Sequence, residues 1–156
     1  MQATRRDNIK YINNINCYQI NLQRSRTATS NLGQLINKHN VNITYVQEPY
    51  TINNRLAGLP RSYKVYTSGD GRNRMAIVTN NDRLDVTLIT KLSNEDCVVA
   101  EVRSEAVQFY SASMYFDIHR DIEEDIRQLV KIMNYTKRNG FIIAADSNTR
   151  AKCGTT

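Results

Sequence analysis

The chain has few of the residues that build metal cages or covalent scaffolds. Its three cysteines, Cys17, Cys97 and Cys153, stand far apart with no paired spacing. That argues against a zinc site and against a disulfide framework, and makes a reducing compartment the expected setting. The two histidines, His39 and His119, sit at the end of one predicted helix and just before another; both read as surface residues. No apolar run approaches the ~18 residues of a membrane span. Residues 1–14 are polar and basic with no apolar segment behind them, so they do not read as a secretory signal. The glycosylation-like triplets at Asn42 and Asn134 therefore carry no meaning. An intracellular location, nuclear or cytoplasmic, is expected.

What is present is an ordinary domain composition, 40% hydrophobic and 23% charged over 156 residues, enough for one domain with a real core. The formal net charge is +6. A basic balance suits a polyanionic partner, nucleic acid first and an anionic membrane surface second. No internal repeat, low-complexity tract or linker divides the chain. Residues 1–14 read as a flexible lead-in, 15–150 as the domain, and 151–156 as an aberrant tail.

Within the domain, residues 15–23 alternate partly and predict a strand. Ala28, Leu32, Leu35 and Ile36 recur at helical spacing and predict a helix over 27–39. A second strand over 41–47 ends at Glu48-Pro49, where the proline stops the strand and is expected to hold Glu48 extended. Strand, helix, strand in about thirty residues is a βαβ unit, so these two strands should be parallel. Residues 50–62 read as loop. Strands follow over 63–67, 75–79, 84–90, 97–103 and 107–116, with separations short enough to imply antiparallel neighbours. Residues 121–139 give the clearest helix, with Ile122, Ile126, Leu129, Val130 and Met133 in one apolar stripe. Asp121 and Glu124 have capping-box spacing, and Gly140 suits the C-terminal cap. The apolar run 141–145 predicts a strand buried on both faces that delivers Asp146 and Asn148 to its end.

Polar residues thus collect at strand ends: Asn21, Glu48, Tyr115, Asp146 and Asn148. A hard divalent cation such as Mg²⁺ takes one or two carboxylates and keeps several waters. Phosphodiester cleavage needs a metal to neutralise charge, a base or oriented water for attack, and donors for the non-bridging oxygens. These residues supply part of that set. Arg24, Arg26, Arg55, Arg61, Arg72 and Arg74 lie in loops or flank these ends, and are candidate phosphate contacts.

In this order the stretches Gln19-Ile20-Asn21, Val46-Gln47-Glu48-Pro49, Ser113-Met114-Tyr115 and Ala145-Asp146-Ser147-Asn148 resemble the endonuclease/exonuclease/phosphatase superfamily. Residues 21–29 and 113–126 are more specifically similar to the apurinic-type endonuclease domain of insect non-LTR retrotransposons. The resemblance runs from about residue 15 to 150 and implies a DNase-I-like α/β sandwich of two sheets, incomplete because its C-terminal part is missing. It implies DNA as partner, Mg²⁺ (or Mn²⁺) as cofactor, no small-molecule cofactor and no membrane. Asn21 would position the phosphate or a metal-bound water, Glu48 would be the main metal ligand, and Tyr115 would hydrogen-bond the scissile phosphate. Asp146 would orient or deprotonate the attacking water, helped by Asn148. In the intact family such a nick exposes a 3′-hydroxyl that primes reverse transcription.

The pattern departs from that family near its end. The family's closing Ser-Asp-His segment and the Trp that follows Asp-x-Asn have no counterpart. The codons of Lys152–Thr156, read one nucleotide back, permit Met-Trp-His-Asp, so a frameshift just after Asn148 is expected, with a deliberate truncation and a gene-model error as the alternatives, and the chain is expected to be inactive as it stands. Two other readings remain open: a catalytically dead nucleic-acid-binding module, and a phosphoesterase of the same superfamily acting on a small substrate.

Overall fold

A computed structural model describes residues 14–69, 71–137 and 139–147. In chain order the elements are β1 (Cys17–Asn21), α1 (Arg26–Lys38), β2 (Ile43–Gln47), β3 (Thr51–Ile52), β4 (Arg55–Leu56), β5 (Lys64–Tyr66), β6 (Met75–Thr79), β7 (Asp85–Leu88), β8 (Cys97–Arg103), β9 (Gln108–Phe116), α2 (Ile122–Thr136) and β10 (Gly140–Ser147). One four-stranded sheet has the order β1-β2-β6-β5 and the other β10-β9-β8-β7, while β3 and β4 form a small hairpin. Each large sheet carries a parallel pair, β1 with β2 and β10 with β9, and is otherwise antiparallel.

Period-two alternation explains the layering. Ile43, Tyr45, Met75 and Ile77 of the first sheet face Val86, Val98, Ala100 and Val102 of the second, with Ala144 joining them between the sheets. The alternate residues Val46, Ala76 and Val78 point outward and pack under Leu32 and Ile36 of α1. Outward residues of the second sheet, Cys97, Val99, Ala112 and Met114, meet Ile132 of α2. Both sheets are thus covered on two sides at their centres, which is why β2 and β6 are buried along their whole length. The Ser25 hydroxyl caps α1 by accepting from Ala28 N at 3.1 Å, and the Asp121 carboxylate caps α2 by accepting from Glu123 N at 3.1 Å.

The expected α/β sandwich and its parallel pair are present, but five local expectations are corrected. The chain crosses from one sheet to the other between β6 and β7, so those consecutive strands are not neighbours. The stretch read as loop after Glu48 contains the β3–β4 hairpin. Among the described residues β10 is the outer strand of its sheet, and Ile142 and Ile143 are each 39% exposed rather than buried. An apolar run alone does not distinguish a central strand from an edge one. Helix α2 ends at Lys137, whose φ of +47° closes the last turn before Gly140 is reached.

The fifth correction concerns the face that α2 presents. Ile122, Ile126, Val130 and Met133 are exposed, and the helix instead seats Asp125, Ile132 and Thr136 against the second sheet. Specific contacts anchor polar groups of the seated face. Asp125 accepts from Arg120, and Gln128 Nε2 donates to Leu92 O at 2.7 Å. Polar groups that find a partner can occupy a packed face, so periodicity located a stripe beside the true contact. Ile132→Ala should cost about 2–5 kcal/mol, whereas Ile126→Ala should stay within about 0.5 kcal/mol. Urea denaturation of the two variants checks the assignment, and the opposite ranking would reverse it.

Candidate active site at the ends of the two sheets

The two parallel pairs bring the site together. In the first sheet β1 and β2 run side by side, with Asn21 opposite Gln47 and Glu48 next in the chain. In the second, β10 and β9 do the same, with Asp146 opposite Tyr115. Alternation fixes the directions. Ile20 packs toward α1, so Asn21 points between the sheets; Ala144 lies in the core between the sheets, so Asp146 two residues on faces the same way. Parallel strands end together, and here both pairs end at one edge of the sandwich.

One side chain closes the gap between the sheets. Asn21 Nδ2 donates to Asp146 Oδ2 at 2.5 Å and to Glu48 Oε2 at 3.3 Å. The amide is oriented from the other side, where Asn21 Oδ1 accepts from Gln23 N at 2.8 Å. With the oxygen committed to a backbone donor, the nitrogen must face the carboxylates. Two further contacts cross between the sheets nearby: Gln19 Nε2 donates to Ala145 O at 2.8 Å, and buried Gln47 Nε2 lies 3.5 Å from Ser113 Oγ.

Glu48 departs from its expected extended backbone. Its φ is +46°, an unusual conformation for a non-glycine residue. Hydrogen bonds on both sides impose it: Glu48 N donates to Arg74 O at 2.7 Å, and Arg24 N donates to Glu48 O at 2.7 Å. Gln23 and Arg24 also have positive φ. Local strain of this kind persists only where the surroundings over-determine it, and here the result aims the Glu48 carboxylate at Asn21.

Behind Tyr115 stands a charge network that the sequence reading did not assemble. Arg74 Nε lies 2.9 Å from Asp96 Oδ1, and Arg74 Nη1 lies 2.9 Å from Asp117 Oδ2. Its guanidinium carbon sits 5.4 Å from the Tyr115 ring centroid, a cation–π distance. Asp96 is buried and binds a second cation, Arg120, at 2.7 Å, and Arg120 holds buried Asp125 of α2. Burial first, then the negative charges of Glu48 and Asp117, push the Tyr115 phenol above its ordinary value, with Arg74 opposing. Tyr115 is therefore a hydrogen-bond donor throughout the physiological range.

The predicted arginines divide. Arg24 is 3.4 Å from Glu48 and, with exposed Arg72, lines a cavity of about 270 Å³ beside that carboxylate. Arg74 also borders the cavity, but its guanidinium is engaged by Asp96 and Asp117. Arg26, Arg55 and Arg61 are exposed and are not among the residues lining the cavity. Asn148 lies outside the described residues, as does the tail 151–156. Asp96, Asp117 and Arg120 escaped sequence reading because nothing in their spacing links a β8 flank to the segment before α2. The polar alternation of Ser111, Ser113 and Tyr115 in β9 was the available signal for an inward polar face.

Glu48 and Asp146 form a donor set suited to a hard divalent ion that retains most of its water. Among the described residues no cluster of three or more His, Cys, Asp or Glu side chains is placed to hold a metal. A pair of carboxylates sharing one amide fits a hydrated Mg²⁺ or Mn²⁺ rather than a metal wholly caged by side chains.

No protein-family profile matches the chain. A 115 kDa protein of the type-1 retrotransposable element R1DM of Drosophila melanogaster is 24% identical over 130 residues, covering 83% of this chain and 12% of that protein. The solved endonuclease domain of TRAS1, a telomere-specific non-LTR retrotransposon, superposes with a TM-score of 0.75 at 28% identity, over 85% of this chain and 58% of that one. D. rerio TDP2, solved with a single-strand DNA product, superposes with a TM-score of 0.59 at 16% identity, over 86% of this chain and 60% of that one. The chain thus spans just over half of the solved endonuclease domain that it matches and a small part of the R1DM protein.

The Asp117 carboxyl is held below its ordinary value of 3.8, by the His119 backbone N–H first and by the Arg74 guanidinium second. A carboxyl lowered by folding contributes stability above its unfolded value and loses it as pH falls through its folded value. Stability measured by urea denaturation should therefore decline below about pH 4, and Asp117→Asn should flatten that part of the profile. An unchanged acid slope in the variant would remove Asp117 from the network.

Proposed function

We propose, for a chain with the DNase-I-like fold of the endonuclease/exonuclease/phosphatase superfamily and similar to non-LTR retrotransposon endonucleases, that it is part of a divalent-metal-dependent DNA endonuclease. Its reaction is hydrolysis of one phosphodiester bond, a target-site nick whose 3′-hydroxyl primes reverse transcription. The observation that carries the reading is the Asn21 amide joining Glu48 of one sheet to Asp146 of the other.

Each residue has a role that its geometry supports. Glu48, with Asp146 beside it, would hold Mg²⁺. The bound ion supplies neutralisation of charge on the phosphate. Asn21 keeps the two carboxylates together and orients them. Tyr115, protonated and backed by Arg74, donates to a non-bridging phosphate oxygen. Asp146 orients the attacking water and accepts its proton. Arg24 and Arg72 meet the backbone phosphates of the bound strand, which positions it without reading its sequence.

Residues 1–156 carry these groups but span 58% of the TRAS1 domain. Neither described histidine joins the site, since His39 caps the end of α1 and stacks on Tyr18, and His119 is exposed. A polypeptide of residues 1–156 is therefore expected to nick poorly by itself, and a longer chain completing the domain to nick well. Phosphoryl transfer depends on positioning together with charge stabilisation, and a misplacement of ~1 Å can cost ~100-fold. In a supercoiled-plasmid assay with Mg²⁺, Asp146→Asn and Glu48→Gln should each lower nicking by the longer chain at least ~100-fold. Undiminished nicking in both variants would overturn the assignment. Salt-dependent duplex binding by the longer chain without any nicking would leave a binding module in its place.

A further inference from the structure

Arg24 and Arg74 both approach the site, and their settings are opposite. Arg74 is fixed by two carboxylates at 2.9 Å and by the Tyr115 ring, and its side chain is 19% exposed. Among the described residues Arg24 has one charged contact, Nη2 to Glu48 Oε1 at 3.4 Å, and its side chain is 48% exposed. The backbone keeps Arg24 close whatever its side chain does, because Arg24 N donates to Glu48 O at 2.7 Å and Ser25 N to Leu22 O at 2.8 Å. The other Glu48 oxygen, Oε2, already accepts from Asn21. Arg24 is thus the counter-ion of the one oxygen that Asn21 leaves to it.

We infer that Arg24 is an exchangeable counter-ion: a divalent cation arriving at Glu48 displaces it, and the released guanidinium binds a phosphate of the nucleic acid. This rests on the reading of Glu48 as a metal ligand and of DNA as the substrate. An ion and a guanidinium compete for the same carboxylate oxygen and repel each other. A half-exposed ion pair is weak, equivalent to about fivefold or less in an equilibrium constant, so the exchange costs little. The cavity of about 270 Å³ shared by Arg24, Arg72 and Tyr50 gives the freed side chain a place to turn. A planar fork of donors suits a phosphate better than a single long contact to a carboxylate. Metal and nucleic acid would then favour each other's binding, and linkage makes that coupling reciprocal.

The device can be read without metal and without turnover. In EDTA, Glu48→Gln releases Arg24 by removing its partner, so this variant should bind a short DNA duplex about three- to fivefold more tightly than the unmodified chain. The same change made in an Arg24→Asn background should bring a much smaller gain; asparagine tolerates the positive φ of position 24. The comparison is a double-mutant cycle that separates release of Arg24 from the mere loss of a negative charge. In calorimetry with Mn²⁺ alone, Arg24→Asn should bind the ion about two- to fivefold more tightly. Equal gains from Glu48→Gln in both backgrounds, or Mn²⁺ affinity unchanged or weakened by Arg24→Asn, would overturn the exchange while leaving the nuclease reading in place. Absence of salt-sensitive duplex binding or of Mn²⁺ binding in the unmodified chain would instead remove that reading, and the exchange with it.

Discussion

A single amide holds the proposed chemistry together. Asn21 donates to carboxylates that come from different sheets, and its own oxygen is committed to Gln23 N. Without that nitrogen, Glu48 and Asp146 would repel one another across a partly buried edge. With it, they form one oxygen-rich site at the mouth of the sandwich. The fold serves this arrangement. Parallel pairing of β1 with β2 and of β10 with β9 ends four strands at one edge, and alternation turns Asn21, Tyr115 and Asp146 inward.

A second layer of charge fixes the other wall. The series Arg74, Asp96, Arg120, Asp125 runs from the residue before β6 to α2 through a buried carboxylate. Breaking such a buried pair by removing one partner commonly costs about 3–5 kcal/mol, although a well-packed apolar replacement of the whole set can be neutral. The network is therefore better understood as positioning than as a source of stability. It sets Arg74 against the Tyr115 ring while the Arg74 carbonyl receives Glu48 N. One arginine thus frames both the candidate metal ligand and the candidate phosphate donor. Arg24, whose side chain has one ion pair among the described residues, at 3.4 Å to Glu48, is the proposed exchangeable counterpart.

Much of this was legible in the residues. Short apolar runs with polar ends gave the strands, helical spacing gave α1, and the order of four strand-end motifs pointed to the fold that the solved relatives share. Asn21, Glu48, Tyr115 and Asp146 were candidates from the sequence, and the structure brings them to one edge. What could not be read depends on three-dimensional neighbours. The exposed stripe of α2 and its seated face lie side by side on one helix, and only partners such as Arg120 and Leu92 O tell them apart. The left-handed backbone of Glu48 arises from hydrogen bonds to Arg24 and Arg74, which lie 24 and 26 positions away in the sequence. Arg74 looked like one loop arginine among several, because its carboxylate partners sit on other elements.

If residues of both sheets form one divalent-cation site, a bound ion must sense both sheets at once. Paramagnetic broadening by sub-stoichiometric Mn²⁺, read on the backbone amides of the ¹⁵N-labelled chain, tests it most directly. Signal should be lost first at residues around Asn21, Glu48 and Asp146, on strands of both sheets together. Broadening confined to one sheet, or centred on Glu95, Asp96 and Asp117, would contradict it.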